Sequence, residues 1–545
     1  MNRTLYCIVL CWLPVFVLAQ GNAFTHADTL RGSITPERAW WNLTYYHLRV
    51  NVSPNDSILS GSTIIQYTVL KPSQTLQVDL QRPLRVVKIE QDGQPLTYRQ
   101  DGGAYFVKLL KPQQTGQSER LTVFYAGKPR VAKRPPWDGG LTWARDTTGQ
   151  WFIATSCQGL GASAWWPCKD HMYDEPDSMR ISVTVPDPLI DVSNGQLEQV
   201  VKNDDGTHTF DWLVRNPINN YGVNVNAATY VHWADTYAGE KGKLPLSFYA
   251  LPEHEALARK QFQQVPLMLK AFEHWFGPYP FYEDGYKLVE TPYLGMEHQS
   301  SVTYGNGFKN GYRGRDLSGT GWGLLWDFII VHESGHEWFA NNITYRDVAD
   351  MWIHESFTNY AENLFVEYYH GKAAGAQYVI GCRKNVRNDS PIIGTYNVNK
   401  SGSGDMYYKG GNMLHTIRQI VDNDEKWRQM LRGLNKVFYH QTVTSQQIES
   451  YLSEKSGHDL TPVFDQYLRD TRIPVLEYRL QKGAIQYRWA DCVTGFAMPV
   501  PVCLGDVDAY QNLHPTTVWQ SFSTKGKIAS LNVDADYYVN VRKLP

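Results

Sequence analysis

The sequence predicts an α+β protein of several domains, and three observations carry that expectation. From about residue 40 to 232, runs such as YYHLRVNVS, STIIQYTVL and RLTVFYAG alternate apolar with polar residues between turn signals, as half-buried strands do. From 252 the spacing becomes helical, in LPEHEALARKQFQQVPLMLKAFEHWFG, and helices dominate 321 to about 471. After Pro474 alternation returns in VLEYRLQ, AIQYRWA and YYVNVRKL. A chain of 545 residues is too long for one core, so these changes of pattern divide it.

Ahead of the first strand, MNRTLYCIVLCWLPVFVLAQ sets one arginine before a short apolar run, the pattern of a secretory signal. Residues 1–19 are assigned to it, with cleavage after Ala19 and Ala23 as second choice. The run is short for a membrane span and Pro14 interrupts it, and no other segment approaches the twenty or so apolar residues a span needs. The expectation is therefore a secreted or periplasmic protein without a stable membrane span. An N-terminal β-domain follows over 24–232, a mainly helical domain over 233–473 and a small β-domain over 474–545. Thr444 with Gln447 three residues on, closed by Gly457, marks one late helix, and Thr461 with Pro462 opens another. The glycines of GNGFKNGYRGRDLSGTGWG match no phosphate-binding pattern and read as a long loop.

Of seven cysteines, Cys7 and Cys11 leave with the signal. Cys157, Cys168, Cys382, Cys492 and Cys503 remain, an odd number that leaves at least one thiol unpaired. Disulfides Cys157 to Cys168 and Cys492 to Cys503 are permitted without being required, and Cys382 reads as a buried or idle thiol. With 52 basic against 54 acidic residues, nothing points to nucleic acid.

The chemistry concentrates in residues 332 to 336, His-Glu-Ser-Gly-His, and in Glu355 of WIHESFTNYAE, with eighteen residues between His336 and Glu355. Four residues make slightly more than one helical turn, so His332 and His336 leave one helix face together and offer two imidazoles to one metal. Hydrolytic zinc keeps three protein ligands and one open position, so a third donor must come from elsewhere. Glu355, in the first turns of a helix starting near Asp350, is placed to supply it. The apolar, proline-free LLWDFIIVHESGHEWFA suits a buried helix carrying the motif. Glu333 points off the ligand face and is the natural general base. The expectation is one Zn2+ per chain.

HESGHEWFANNIT followed by WIHESFTNYAE resembles the gluzincin aminopeptidases, the family of membrane alanyl aminopeptidase and leukotriene hydrolase. FEHWFGPYPF, PYLGMEHQSSVTYG, CQGLGASAWWPCKDHMYDEP and MYYKGGNML resemble further family segments in the same order. The resemblance implies a β-saddle N-domain, a thermolysin-like mixed α/β catalytic domain and a small C-terminal β-sandwich, without the large helical domain that closes many members. It implies that Glu297 binds the substrate's free α-ammonium, with Gly295 and Met296 of the same segment and Gln158 also facing the substrate. Tyr407 takes the place of the tyrosine that stabilises the oxyanion, with Tyr408 as the alternative. Glu362 is either a partner of the metal ligands or a solvated helix residue. Three departures stand out: Leu294 for a glycine, His298 for an asparagine and His354 for an asparagine. They bear on substrate preference, and either histidine could be read as an extra ligand, a reading that three existing ligands make superfluous.

The function this implies is a secreted zinc aminopeptidase acting on peptides with a free N-terminus, by metal-activated water with a glutamate base. Two other classes stay open: a zinc endopeptidase, and a non-catalytic peptide- or glycan-binding protein around a structural zinc. The sequence does not indicate the preferred first residue or the oligomeric state.

Overall fold

The computed structural model describes residues 24–505, 510–524 and 530–545. The expected signal, with Cys7 and Cys11, lies outside the described residues.

β1 (Trp41–Ser53) runs through an eight-stranded sheet, antiparallel to β2 (Ile58–Val69) and parallel to β3 (Ser178–Pro186). Its alternation is the one read from YYHLRVNVS: Tyr46, Leu48, Val50 and Val52 are buried, while Arg49 and Asn51 turn the other way. A four-stranded sheet that includes Trp151–Ser156 and a three-stranded sheet complete the strand-rich N-terminal region. This region has its own apolar core, filled by Trp41, Trp165, Trp166 and Trp212 among others.

A five-stranded mixed sheet begins at Val231 and contains β4 (Tyr286–Glu290), β5 (Gly295–Met296) and β6 (Val302–Tyr304). Helices α1 (Gln264–Phe276) and α2 (Phe328–Gly335) pack against it, α3 (Trp352–His370) packs on both of them and α4 (Tyr408–Val421) on α3, around a second core. The stretch leading into β5 joins the two cores. Tyr293 and Met296 belong to the N-terminal core and Leu294 to the second, which leaves Glu297 at their junction.

The motif helix is shorter than LLWDFIIVHESGHEWFA predicts. Asp327 caps it by accepting from the N–H groups of Ile329 and Ile330, so Leu324, Leu325 and Trp326 stay outside. It closes at His336, because Phe339 and Ala340 leave helical geometry. The second helix begins at Trp352, close to its expected start. Thr444 and Gln447 form a capping box and Gly457 ends that helix in the left-handed conformation. At the next helix the cap position falls to Leu460, and Thr461 is already helical.

Beyond Pro474 the strands form a four-stranded and a three-stranded sheet whose core is continuous with that of the helices. Arg383 donates to the Ala535 carbonyl at 2.8 Å and Tyr467 to the Tyr538 carbonyl, fastening this part to the helical region. Cys157, Cys168, Cys382, Cys492 and Cys503 are all free thiols, so neither permitted disulfide is formed. Among the described residues, no helix is long and apolar enough to cross a membrane.

Candidate active site

Position starts with Asp327. Its fully buried carboxylate accepts from Gln261 Nε2 at 2.6 Å, Tyr304 Oη at 2.8 Å and Asn306 Nδ2 at 2.9 Å, besides the two α2 backbone groups. Burial still lifts this carboxyl to about 6. Together these bonds at its first turn fix α2 against β6 and the loop that follows.

From α2 the His332 and His336 rings meet edge to face, centroids 5.0 Å apart. Each Nδ1 is committed: His332 Nδ1 to Glu362 Oε1 at 2.8 Å, and His336 Nδ1 to the Phe339 carbonyl at 3.0 Å. With the proton held on Nδ1, each Nε2 keeps a free lone pair. Both Nε2 atoms face Glu355 Oε2, at 3.7 Å and 3.5 Å. Two donors about 2.0–2.1 Å from one tetrahedral zinc stand roughly 3.4 Å apart, so these separations match the edges of a coordination tetrahedron. Glu355 Oε2 is buried and has no hydrogen-bond partner among the described residues, while Oε1 accepts from Gln158 Nε2 at 2.9 Å. An orphaned carboxylate oxygen facing two imidazole lone pairs is a donor set that fits zinc. Burial alone would raise the Glu355 carboxyl; His336 and His332 outweigh it and hold the group below the usual carboxylate range.

Glu362 is buried and bonds His332, and it also accepts from Tyr378 Oη at 2.7 Å, which excludes the solvated-face reading. Glu333, one residue from His332, lines the same cleft, and burial pushes its carboxyl up to about 7. Tyr407 caps α4 and stacks 6.0 Å from His332. After burial, the charges raising its hydroxyl pKa are Glu355, Glu297 and Glu333, whereas Tyr408 senses Glu362 and Cys382. Tyr407 is thus the tyrosine on the metal side.

Glu297 is 3% exposed. Its Oε1 accepts from Gln158 Nε2 at 2.6 Å and Tyr221 Oη at 3.0 Å, and its carbonyl accepts from Asn341 Nδ2 at 2.9 Å. Glu297, Glu333 and His336 also bring donor atoms within 4.8 Å of one another. They are the poorer metal set, because they offer zinc one imidazole where the other set offers two. Gly295 passes so close to α2 that a Cβ there would lie 2.6 Å from Ile329 Cγ2, which explains glycine. Met296 and Leu294 line the cleft, which has a volume of about 410 Å³.

Tyr221 was not among the sequence candidates. A single tyrosine in an asparagine-rich stretch carries no signal until the fold brings it to Glu297. His298 and His354 stand apart from the metal set. His298 Nδ1 lies 3.3 Å from Thr303 Oγ1, and His354 stacks on Tyr345 at 4.1 Å and accepts from its N–H.

Known proteins resemble this chain in sequence and in fold. The Peptidase M1 N-terminal domain matches residues 42–221 and the Peptidase family M1 domain matches 268–467. Endoplasmic reticulum aminopeptidase 1 of Rattus norvegicus is 21% identical over 485 residues, covering 81% of this chain and 50% of the relative. Leucyl aminopeptidase of Saccharolobus solfataricus is 20% identical, covering 72% of this chain and 49% of the relative. The chain thus spans about half the length of these relatives, and 38% of the mouse endoplasmic reticulum aminopeptidase 1. The M1 zinc metallopeptidase from Deinococcus radiodurans superposes with a TM-score of 0.66 at 22% identity, over 80% of this chain and 95% of that one. A variant of it bound to a Tyr-Ser-Ala substrate gives a TM-score of 0.65. The two domain matches together span well over half of the sequence, and the chain belongs to the M1 peptidase family.

Proposed function

We propose that this protein is a secreted zinc aminopeptidase that removes the first residue of peptides. His332, His336 and Glu355 would hold the ion. Zinc there supplies Lewis-acid polarisation of the scissile carbonyl and lowers the pKa of the hydrolytic water to about 7.

The chain's own groups do the rest. Glu333 takes a proton from the attacking water and returns it to the leaving amine. The Tyr407 hydroxyl donates to the oxyanion as it forms. Glu297 receives the α-ammonium: Gln158 and Tyr221 occupy Oε1, so Oε2 is the oxygen left for the substrate. The observation that carries an exopeptidase reading is the 4.8 Å clustering of Glu297, Glu333 and His336. The amine nitrogen and carbonyl carbon of one residue are about 2.5 Å apart, so an ammonium on Glu297 sets the first peptide bond, and no later one, beside Glu333. Export rests on the leading arginine and apolar run, and mass analysis of the N-terminus from a native host tests it.

An endopeptidase would share the metal set but ignore the amine. Acetylating a peptide's N-terminus separates the two: cleavage must stop, and undiminished cleavage would establish the endopeptidase. A purely structural zinc is disfavoured by Glu333, a buried acid lining the cleft beside the ligands, where a structural site has no use for a base.

A further inference from the structure

One exposed aromatic in the cleft has no part in the mechanism above. Trp137 is 64% exposed, yet with Pro136 it lines the same cleft as Gln158, Met296 and Glu297. It stands on the turn 133–139, which is braced throughout. The Asp138 carboxylate accepts from the N–H groups of Lys133 and Arg134, both at 2.8 Å. Trp137 N–H donates to the Arg134 carbonyl at 3.0 Å, and Arg130 Nη2 to the Asp138 carbonyl at 3.1 Å. At Gly139 a Cβ would lie 2.8 Å from the Leu160 side chain, so the turn is pressed onto the segment that carries Gln158. Gln158 in turn reaches both Glu297 and Glu355. A wide apolar surface is therefore fixed in place, and left open, in the cleft beside the segment that carries Gln158. Backbone bonds of this kind cut the entropy that a mobile loop would lose on ordering against a ligand.

We infer that Trp137 is a specificity-determining residue: its indole is the platform on which the side chain of the substrate's first residue lies, opposite Met296. This rests on the aminopeptidase reading and deepens it. With the ammonium on Glu297 and the carbonyl between His336 and Glu333, the first Cα sits between them, and its side chain leaves toward the wall formed by Gln158, Met296 and Trp137. That wall is apolar apart from the Gln158 amide, whose nitrogen is already engaged. The substrate class is peptides beginning with an aromatic or a large aliphatic residue, which gain ring stacking and buried area that alanine cannot.

The test compares the zinc-loaded wild type with Trp137→Ala and Trp137→Phe on phenylalanyl, leucyl and alanyl aminomethylcoumarin amides. Trp137→Ala is expected to lose roughly 10-fold in kcat/KM on the phenylalanyl and leucyl substrates and less than about 2-fold on the alanyl one, with Trp137→Phe restoring most of the phenylalanyl rate. An equal loss on all three substrates, or no loss on any, overturns the assignment while the aminopeptidase reading stands. A wild type that cleaves none of them but does cleave N-acetylated peptides overturns both.

Discussion

Glu297→Gln tests the amino-end reading most directly, because it changes one charge and almost no volume. In the wild type both Gln158 Nε2 and Tyr221 Oη donate to Oε1. The carbonyl of the introduced amide can take over that double role, so the side chain stays where it is. Its amide nitrogen then occupies the place of Oε2 and presents N–H groups to the ammonium. The gross attraction lost between charges about 3 Å apart is roughly 5 kcal/mol at an effective dielectric near 20. Rehydration of the unbound ammonium returns part of it, and hydrogen bonds to charged groups have a net worth of about 1.5–3 kcal/mol. Donor facing donor places this change at the upper end, about 3 kcal/mol, or on the order of 100-fold in kcat/KM. The assay is steady-state hydrolysis of one aminoacyl coumarin substrate, free and N-acetylated, with bound zinc measured by mass spectrometry in both proteins. The free substrate should lose that factor at unchanged zinc content, and the residual cleavage of the acetylated one should not fall. A loss under about 3-fold on the free substrate, or an equal loss on both, refutes the role given to Glu297.

Glu333→Gln should keep zinc and lose between about 10² and 10⁴-fold in kcat, and near wild-type turnover would remove Glu333 as the base. Glu362→Gln turns the group that receives the His332 Nδ1 proton from an anion into a neutral amide, and zinc affinity measured by competition with a chelator should fall about 10-fold or more. Asp327→Ala deletes the α2 cap and strands the Tyr304 hydroxyl and the buried N–H groups of Ile329 and Ile330, so chemical denaturation should show a loss of about 3 kcal/mol or more, with Asp327→Asn milder. His298 is fully buried, and burial holds its imidazole down at about 3 against 6.5 in an unfolded chain. The unfolded state therefore binds the extra proton between these values, and the stability this neutral ring contributes is present above pH 6.5 and lost as pH falls toward 3. At about pH 4 the effect is on the order of 3 kcal/mol, so His298→Asn should flatten the urea-midpoint profile from roughly pH 6.5 down to 4, and an unchanged slope would show that His298 does not titrate on unfolding.

The three residues proposed to hold the metal could be picked out, and their donor atoms lie within 4.8 Å of one another, because the signal is local or nearly so: a four-residue helical spacing and one acid on the next helix. The helix ends were less legible. LLW reads as helix by composition, and only a buried Asp327 collecting side-chain and backbone donors together explains why the helix starts after it. The strands of the N-terminal region could be found from alternation, but their order could not, since β1 pairs with β3 across all of residues 54–177 in a parallel register set by the fold. Glu362 was ambiguous because a carboxylate at helical spacing looks the same whether it faces water or a histidine. Tyr221 left no pattern at all, because it meets Glu297 only through the fold.

In the proposed aminopeptidase, selection of a free amino end would fall at the junction of the two cores. The metal set, Glu333 and Tyr407 all come from the catalytic region, yet Glu297 is held largely from the other side. Gln158 and Tyr221 fix its carboxylate, Asn194 Nδ2 donates to the Gln299 carbonyl at 2.7 Å, and Gly195 N–H donates to Ser300 Oγ at 2.9 Å. From the catalytic side Glu337, next to His336, accepts the Ser300 N–H at 2.9 Å, so the motif segment and the N-terminal region clamp the same turn. Loosening that clamp moves the ammonium's partner relative to the metal without touching a ligand. Tyr221→Phe is therefore expected to raise KM for free-amine substrates about 3- to 10-fold, about 1 kcal/mol, because the bond from Gln158 still orients the carboxylate, at unchanged zinc content and nearly unchanged kcat. A Tyr221→Phe enzyme with wild-type KM would mean that Gln158 alone orients Glu297, and the N-terminal region's part in recognising the amine would reduce to that one side chain.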